Sequence, residues 1–472
     1  MMLGGNTEAV ELSNSQYTCG IVRERMDDAG LWRVPGQAGD RRTHLLGAEP
    51  FALSASHVER IQKLGAALPA FYRAANELYL RSDCDWVRAY LDIGKGDELI
   101  RHAAMKYQRG SLPGIIRPDI LITDDGLMIT ELDSVPGGFG HLDCLSAGYE
   151  DAGWDLIGSP RGIRDGFAAM LREASGTDDP VCAIVVSEES VDYRPEMAHI
   201  ARELREIGFR AYSVQPRGVI FTEDGLFIEP DGERLRVDVI YRFFELFDLL
   251  NIPKSELVSY AARKKLVVVT PPYKHFLEEK MLMAMIHADA LRDYWLRTLG
   301  EDYYSLLTDT IAPTWIMDNR PVPPHAEISG FLRRANPIRD WRVIAHGTQK
   351  ERELVLKPSG FSPLAWGARG VKVGHDMPES EWAEAVEHAL AGFDTSPYVL
   401  QPFGDTKLFR VSYFDGACPE PREMDARVRL CPYYFVTGDQ TRLGGILATA
   451  CPKNKKLIHG MVDAVITPCR IE

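Results

Sequence analysis

The segment IIRPDILITDDGLMITELD, residues 115–133, constrains this chain more than any other stretch. Two apolar runs flank Asp124-Asp125-Gly126, a residue set suited to a tight turn, and so predict a β-hairpin. Alternate side chains of a strand share a face, so Glu131 and Asp133 project together where the second strand ends. Asp119 and Glu131 lie equally far from Asp125, which sets them opposite each other across the hairpin. Three carboxylates then converge and repel unless a cation sits among them. A divalent metal held by Asp119, Glu131 and Asp133 is the expected solution, and a solvated hairpin end with scattered acids is the alternative. The loop that follows, Pro136, Gly137, Gly138 and Gly140, is flexible enough to wrap around whatever the acids hold.

At 472 residues and 45% hydrophobic content the chain is long enough for two or three domains and a large core. No apolar run approaches bilayer length, and the opening MMLGGNTEAVELSNSQ lacks a basic start followed by an apolar stretch. Neither a membrane span nor a secretory signal is expected, and the chain reads as cytoplasmic. A net charge of -14 disfavours nucleic acid and anionic membranes as main partners. The eight cysteines form no CxxC pair and no zinc-spaced cluster, so reduced, buried thiols are expected.

The chain divides into four regions. Residues 1–114 read mainly as helix, with Ile61, Leu64, Leu68, Phe71 and Leu78 at helical spacing and a kink or break expected near Pro69. The hairpin and its glycine loop occupy 115–152. An α/β pattern fills 153–250: strand VCAIVVS, helix RPEMAHIARELREIG, strand FRAYSV, a hairpin around Glu223-Asp224-Gly225 and strand VDVIYRFF. No GxGxxG follows VCAIVVS, which disfavours a nicotinamide-dependent oxidoreductase. Residues 251–472 carry strand KLVVVTPP, helix LEEKMLMAMIHADALRDYW, strands ELVLKP and YVLQPF, and terminal runs that suit an antiparallel sheet.

Within this last region Lys357 ends an apolar strand and precedes a loop bearing Gly360, Gly367 and Gly370. Such a lysine can hold a phosphate by charge while backbone N–H groups form a concavity for the anion, although no Walker A loop is present and an ordinary hairpin with a surface lysine is the alternative. Lys280 borders the apolar helical face of Leu277, Met281, Ala284, Met285 and Ala288; alone it reads as a lysine laying its stem over the core edge. In YVLQPF, an extended run with polar Gln401 can offer the backbone groups and apolar faces an adenine ring needs, and read alone it is equally a plain buried strand. Arg117 precedes Asp119 on the hairpin, and Arg242 lies on VDVIYRFF. A buried guanidinium needs a partner, and for Arg242 that is either Glu245 or a substrate carboxylate.

Taken in order, these pieces resemble the circularly permuted ATP-grasp ligases of the eukaryotic-type glutathione synthetase and glutathionylspermidine synthetase group. The resemblance runs from Arg117 onward and implies an α/β (α+β) fold, an ATP-grasp core with an inserted α/β substrate domain. It implies ATP and Mg²⁺ as cofactors, with the metal on Glu131, Asp133 and Asp119. It likens Lys280 and Lys357 to the two ATP lysines, Gly360, Gly367 and Gly370 to the loop over the phosphates, and Leu400, Gln401 and Phe403 to the adenine hinge. Arg117 and Arg242 match catalytic arginines. The tail from Arg429 through Gly445 to Lys456 and His459-Gly460 is similar to strands that close over the site, with Arg429 and Lys456 facing substrate. The implied reaction joins a small-molecule carboxylate to an amine through an acyl phosphate, with a homodimer allowed and no nucleic acid or membrane involved. Two departures stand out: Asp133 replaces the usual Asn, and SGFSPLAWGARG lacks an acid that some members carry after the Lys-Pro pair. The second motivates an alternative, a nucleotide-binding protein with weak or no turnover.

Overall fold

The computed structural model describes residues 14–33, 43–81, 83–158, 160–321, 326–365, 369–415, 420–458, 460 and 463–472. Its largest sheet is built from both halves of the chain. Strands Leu408–Phe414, Leu45–Gly47, Val465–Ile471, Gln440–Pro452, Arg422–Thr437, Ile115–Thr123 and Gly126–Asp133 follow one another in that order, and Phe51–Leu53 also pairs with Val465–Ile471. Leu408–Phe414 pairs with Arg422–Thr437 as well, so the pairings close on themselves. The hairpin thus sits at the open edge of a sheet whose other members lie mostly at the far end of the chain.

A second sheet is fully parallel, in the order Val268–Thr270, Val239–Phe243, Val181–Val186, Arg210–Val214. Its inner strands are buried along their whole length, with helices Gly162–Ser175 and Arg194–Glu206 on one face and a cluster containing Leu226, Ile228 and Ala261 on the other. Its edge strand Val268–Thr270 comes from beyond residue 250, so the α/β unit extends further than the sequence pattern indicates. A third, antiparallel sheet orders Trp315–Ile316, Tyr398–Pro402, Leu354–Pro358 and Lys372–Val373.

Two helices differ from expectation. Ala55–Leu80 stays helical through Pro69, started by Ser54, whose hydroxyl accepts from His57 N–H. The backbone hydrogen bond that proline forfeits is offset by burial of Ile61, Leu64, Leu68, Phe71, Tyr72 and Leu78 in the main core. The run around Lys280 is not one amphipathic helix. It breaks into His275–Glu278, Met281–Ile286 and Arg292–Thr310, and all six residues of Met281–Ile286 are buried. A segment apolar on every side belongs inside the core, and Lys280 stands at its N-terminal boundary. Among the described residues no helix is long and apolar enough to cross a membrane.

Candidate active site

The three sheets surround one cavity of about 950 Å³. The hairpin reaches it with its second strand. In register, Asp119 faces Glu131, and a bulge at Thr130 breaks the ladder between that pair and Ile120–Ile129. The bulge turns the Thr130 carbonyl toward the third sheet, where Lys357 Nζ donates to it at 3.1 Å.

The cations that relieve the three carboxylates are the protein's own. Arg117 Nε stands 3.0 Å from Asp119 Oδ1, close enough to pair charge though not aligned for a hydrogen bond, and its Nη2 lies 3.0 Å from Asp133 Oδ2. Its Nη1 donates to Gly137 O at 3.1 Å. Arg429 Nη1 donates to the other Asp119 oxygen at 2.8 Å, and Cys431 Sγ completes that carboxylate's shell at 3.4 Å. Lys280 Nζ lies 2.9 Å from Glu131 Oε1. Asp119 is only 4% exposed and both its oxygens are taken, so it acts as counter-ion to Arg117 and Arg429. The expected three-carboxylate metal set is not assembled, and no group of three His, Cys, Asp or Glu among the described residues is arranged to hold a metal ion. Glu131 and Asp133 keep partial exposure, and both line the cavity.

Electrostatics follow from this packing. Burial opposes the Asp119 charge, yet Arg117 and Arg429 hold its carboxyl below the usual range. Burial pushes Asp133 up despite Arg117. Burial also works against Lys280, but Glu131 beside it raises the ammonium pKa overall. For Lys357 burial wins, lowering the pKa to about 8 with only partial relief from Glu131. A second acidic wall lies alongside: Glu245 is pushed up to about 8 by burial and then by Glu278 and Asp133, and burial raises Glu278 as well.

Arg242 is placed elsewhere. It is fully buried and does not line the cavity. Its guanidinium bonds Pro271 O at 3.2 Å, Phe244 O, and the carboxylate of Glu278 rather than Glu245. The strand Val239–Phe243 is an inner, buried member of the parallel sheet, and of its residues Phe243, not Arg242, lines the cavity.

The loop after Lys357 also departs from expectation. Glu279 anchors it from beneath, accepting from Ser359 Oγ and from Phe361 N–H at 3.3 Å, and pairs with Lys95 in a fully buried ion pair. A Cβ on Gly360 would stand 2.7 Å from Glu278 O, and one on Gly370 would stand 2.5 Å from the Pro358 ring, so both glycines permit close packing. The N–H groups of Ser359, Phe361, Ser362, Leu364, Ala365 and Gly370 are all spent inside the protein. No backbone concavity for an anion is formed by these residues; Gly367 lies outside the described residues.

At the far end of the cavity Gln401, Phe403 and Lys456 line the wall, and Lys456 Nζ lies 5.7 Å from the Phe403 ring centre. Leu400 points the opposite way, into the core of the third sheet, because neighbouring strand residues alternate faces. Arg429 lines the cavity at the hairpin end, and His459 lies outside the described residues. Sequence reading passes over Glu278, Glu196 and His141. Glu196 Oε1 accepts from Gly140 N–H at 2.9 Å and its Oε2 lies 3.1 Å from His141 Nδ1, holding the glycine loop in place, with Gly138 at φ 92°. The signal for Glu196 is its position on the apolar face of RPEMAHIARELREIG, with Met197 and Ile200.

No family model matches the chain, and no curated protein matches it in sequence. Among solved structures, the apo form of a glutathione synthetase-like effector from Globodera pallida overlays at a TM-score of 0.59 with 12% identity, covering 97% of each chain. At that identity the likeness bears on fold alone: the chain shares the mixed α/β architecture of a glutathione synthetase-like protein. A candidate gamma-glutamylcysteine synthetase from Methylobacillus flagellatus KT overlays at 0.43 with 11% identity, over 90% of this chain and 89% of that one, too loosely to add to it.

Proposed function

We propose that the chain is an ATP-dependent carboxylate–amine ligase, akin to glutathione and glutathionylspermidine synthetases, working on a circularly permuted ATP-grasp scaffold. One observation carries the reading. Arg117, Arg429, Lys280 and Lys357 converge on the end of the hairpin beside a cavity that Leu121, Val355, Val373 and Phe403 also line, a combination suited to a triphosphate joined to a base. The early hairpin pairing with the late strand Arg422–Thr437 favours the permuted order.

Asp119 is unsuited to hold Mg²⁺, but Glu131 and Asp133 face the cavity and, with phosphate oxygens, would suffice for an ion that needs only one or two carboxylates. When bound, the ion would neutralise phosphate charge. Lys280 and Lys357 would steady the phosphates, and Arg117 would meet the transferred phosphoryl group. A substrate carboxylate oxygen attacks the γ-phosphorus and ADP leaves; an amine then attacks the acyl carbon, the C–O bond to phosphate breaks, and inorganic phosphate departs. Asp133, Glu245 and Glu278 line the cavity beside this point, and with pKa values raised by burial a carboxylate among them would serve as base for the proton the attacking amine sheds. Small-molecule carboxylate and amine are therefore the proposed partners.

The test is phosphate release from Mg-ATP with carboxylate and amine pools that include glutathione, amino acids and polyamines. Release that requires both components is the expected result. ATP binding without release from any pool would replace the ligase by the second reading, a nucleotide-binding protein without turnover, which the fully engaged Asp119 and the internally bonded glycine loop favour.

A further inference from the structure

Beside the glycine loop the cavity holds a second cluster of ligating side chains, which the proposed reaction leaves idle. His44 lies just ahead of the strand Leu45–Gly47. Its backbone is fixed on either side, by Thr43 N–H to Trp32 O at 3.0 Å and by Leu45 N–H to Ala464 O at 2.9 Å. His141 lies in the first turn of the helix Phe139–Asp151. Both line the cavity, with ring centres 5.7 Å apart and planes inclined at 71°.

Each ring has a nitrogen to spare. Glu196 is fully buried; one of its oxygens accepts from Gly140 N–H and the other faces His141 Nδ1 at 3.1 Å. A carboxylate in that position puts the His141 proton on Nδ1 and leaves the lone pair on Nε2, which has no partner among the described residues. His44 Nδ1 is buried without a hydrogen-bond partner. Burial, and then the neighbouring His141, pushes the His44 pKa down to about 3, so this imidazole is neutral, the form that binds a metal. Edge-to-face ring packing alone would account for the spacing. It would not account for a carboxylate behind one ring together with an orphaned nitrogen on the other.

We propose that His44 and His141 form a site for a divalent transition-metal ion of the Zn²⁺ type, with Glu196 fixing His141 from behind and two coordination positions open to the cavity. An ion about 2.0–2.1 Å from two nitrogens in tetrahedral geometry holds the imidazole centres roughly 5–6 Å apart, and the separation of 5.7 Å fits it. No third His, Cys, Asp or Glu joins the pair among the described residues, so water or a donor bound in the cavity completes the shell. Imidazole nitrogen suits Zn²⁺, whereas Mg²⁺ takes oxygen, so the site differs in chemistry from Glu131 and Asp133. It also stands apart from the ligase reading, since an ion held by these two rings needs no nucleotide.

The experiment titrates the full chain with Zn²⁺ in excess Mg²⁺, which fills oxygen sites, and follows binding by competition with a chromophoric chelator. One ion per chain is expected at this site. Its affinity should fall by more than about tenfold in His44→Gln and in His141→Gln, and by about tenfold in Glu196→Gln, whose amide supports His141 less well than the carboxylate. Thermal midpoints of the metal-free variants close to that of the parent chain separate loss of a ligand from loss of the fold, and added Zn²⁺ should raise the midpoint of the parent alone. Co²⁺ on the unaltered chain reads the donor set without any variant: visible ligand-field bands with no thiolate charge-transfer band are expected. A thiolate band would put the ion on a cysteine and overturn the proposal. Equal Zn²⁺ affinity in the parent and both histidine variants would overturn it too, as would no Zn²⁺ binding at all.

Discussion

Arg117 and Arg242 carry the same sequence signature, an arginine inside an apolar strand, yet they occupy opposite kinds of place. Arg117 lies on a hairpin at the edge of a sheet and bridges Asp119 and Asp133 beside the cavity. Arg242 lies on an inner strand of a covered parallel sheet and is locked to Glu278 and two carbonyls. The strand's environment, and not the residue type, decides whether a buried cation is chemistry or scaffold. A strand of an antiparallel sheet can turn one face to a cavity, whereas an inner strand of a parallel sheet is covered on both.

Breaking the scaffold arginine should give the largest effect. Arg242→Leu leaves the half-buried Glu278 carboxylate without its cation and the Pro271 and Phe244 carbonyls without their donor, and a loss of about 3–5 kcal/mol is expected, read as a large drop in thermal midpoint. The double variant Arg242→Leu/Glu278→Gln should recover part of it, because the orphaned charge is gone. Unchanged stability of the single variant would place Arg242 with Arg117 as a site residue. On the other side of the comparison, Glu131→Gln or Lys357→Ala should weaken Mg-ATP binding tenfold or more, by the loss of one charge-assisted contact worth about 1.5–3 kcal/mol, with a much smaller change in thermal midpoint. Equal ATP binding by these variants would dissolve the site.

A subtler effect lies in pH. The Lys357 pKa is lowered in the folded chain to about 8 from 10.5, so the unfolded chain binds more protons between these values and stability rises with pH across that window. For Glu245 the folded value is raised to about 8 from 4.5, so the folded chain binds more protons in that interval and stability falls as pH climbs through it. The contributions of these two groups together place a shallow minimum near pH 8. Denaturant titrations from pH 5 to 10 should show it, with Glu245→Gln flattening the acid limb and Lys357→Met the alkaline one. Curves unaltered by either substitution would mean that the two groups do not titrate as described. ATP affinity should also decline above about pH 8 as Lys357 loses its proton, and Lys357→Arg should carry binding to higher pH.

The hairpin register was legible because a short turn leaves few ways to count: Asp124-Asp125-Gly126 sets Asp119 against Glu131. The bulge at Thr130 was not, since nothing in a strand pattern marks an extra residue. Nor was the identity of the neutralising cation. Electrostatics demands cations near Asp119, Glu131 and Asp133, but metal, Arg429 from 310 residues away and Lys280 satisfy that demand equally on paper. The glycine loop misleads for a related reason. Glycines permit a backbone to cradle an anion and equally permit it to pack against Glu278 and Glu279, and only the position of Glu279 decides between them.

The 310-residue interval between Asp119 and Arg429 has a consequence for biosynthesis. A ribosome adding about 5–20 residues per second delivers Arg429 roughly 15–60 s after Asp119. Throughout that interval the hairpin lacks both its neighbouring strand and one of its two arginines. The nascent chain therefore has to shield an apolar strand edge and a crowded set of carboxylates until the strand Arg422–Thr437 emerges.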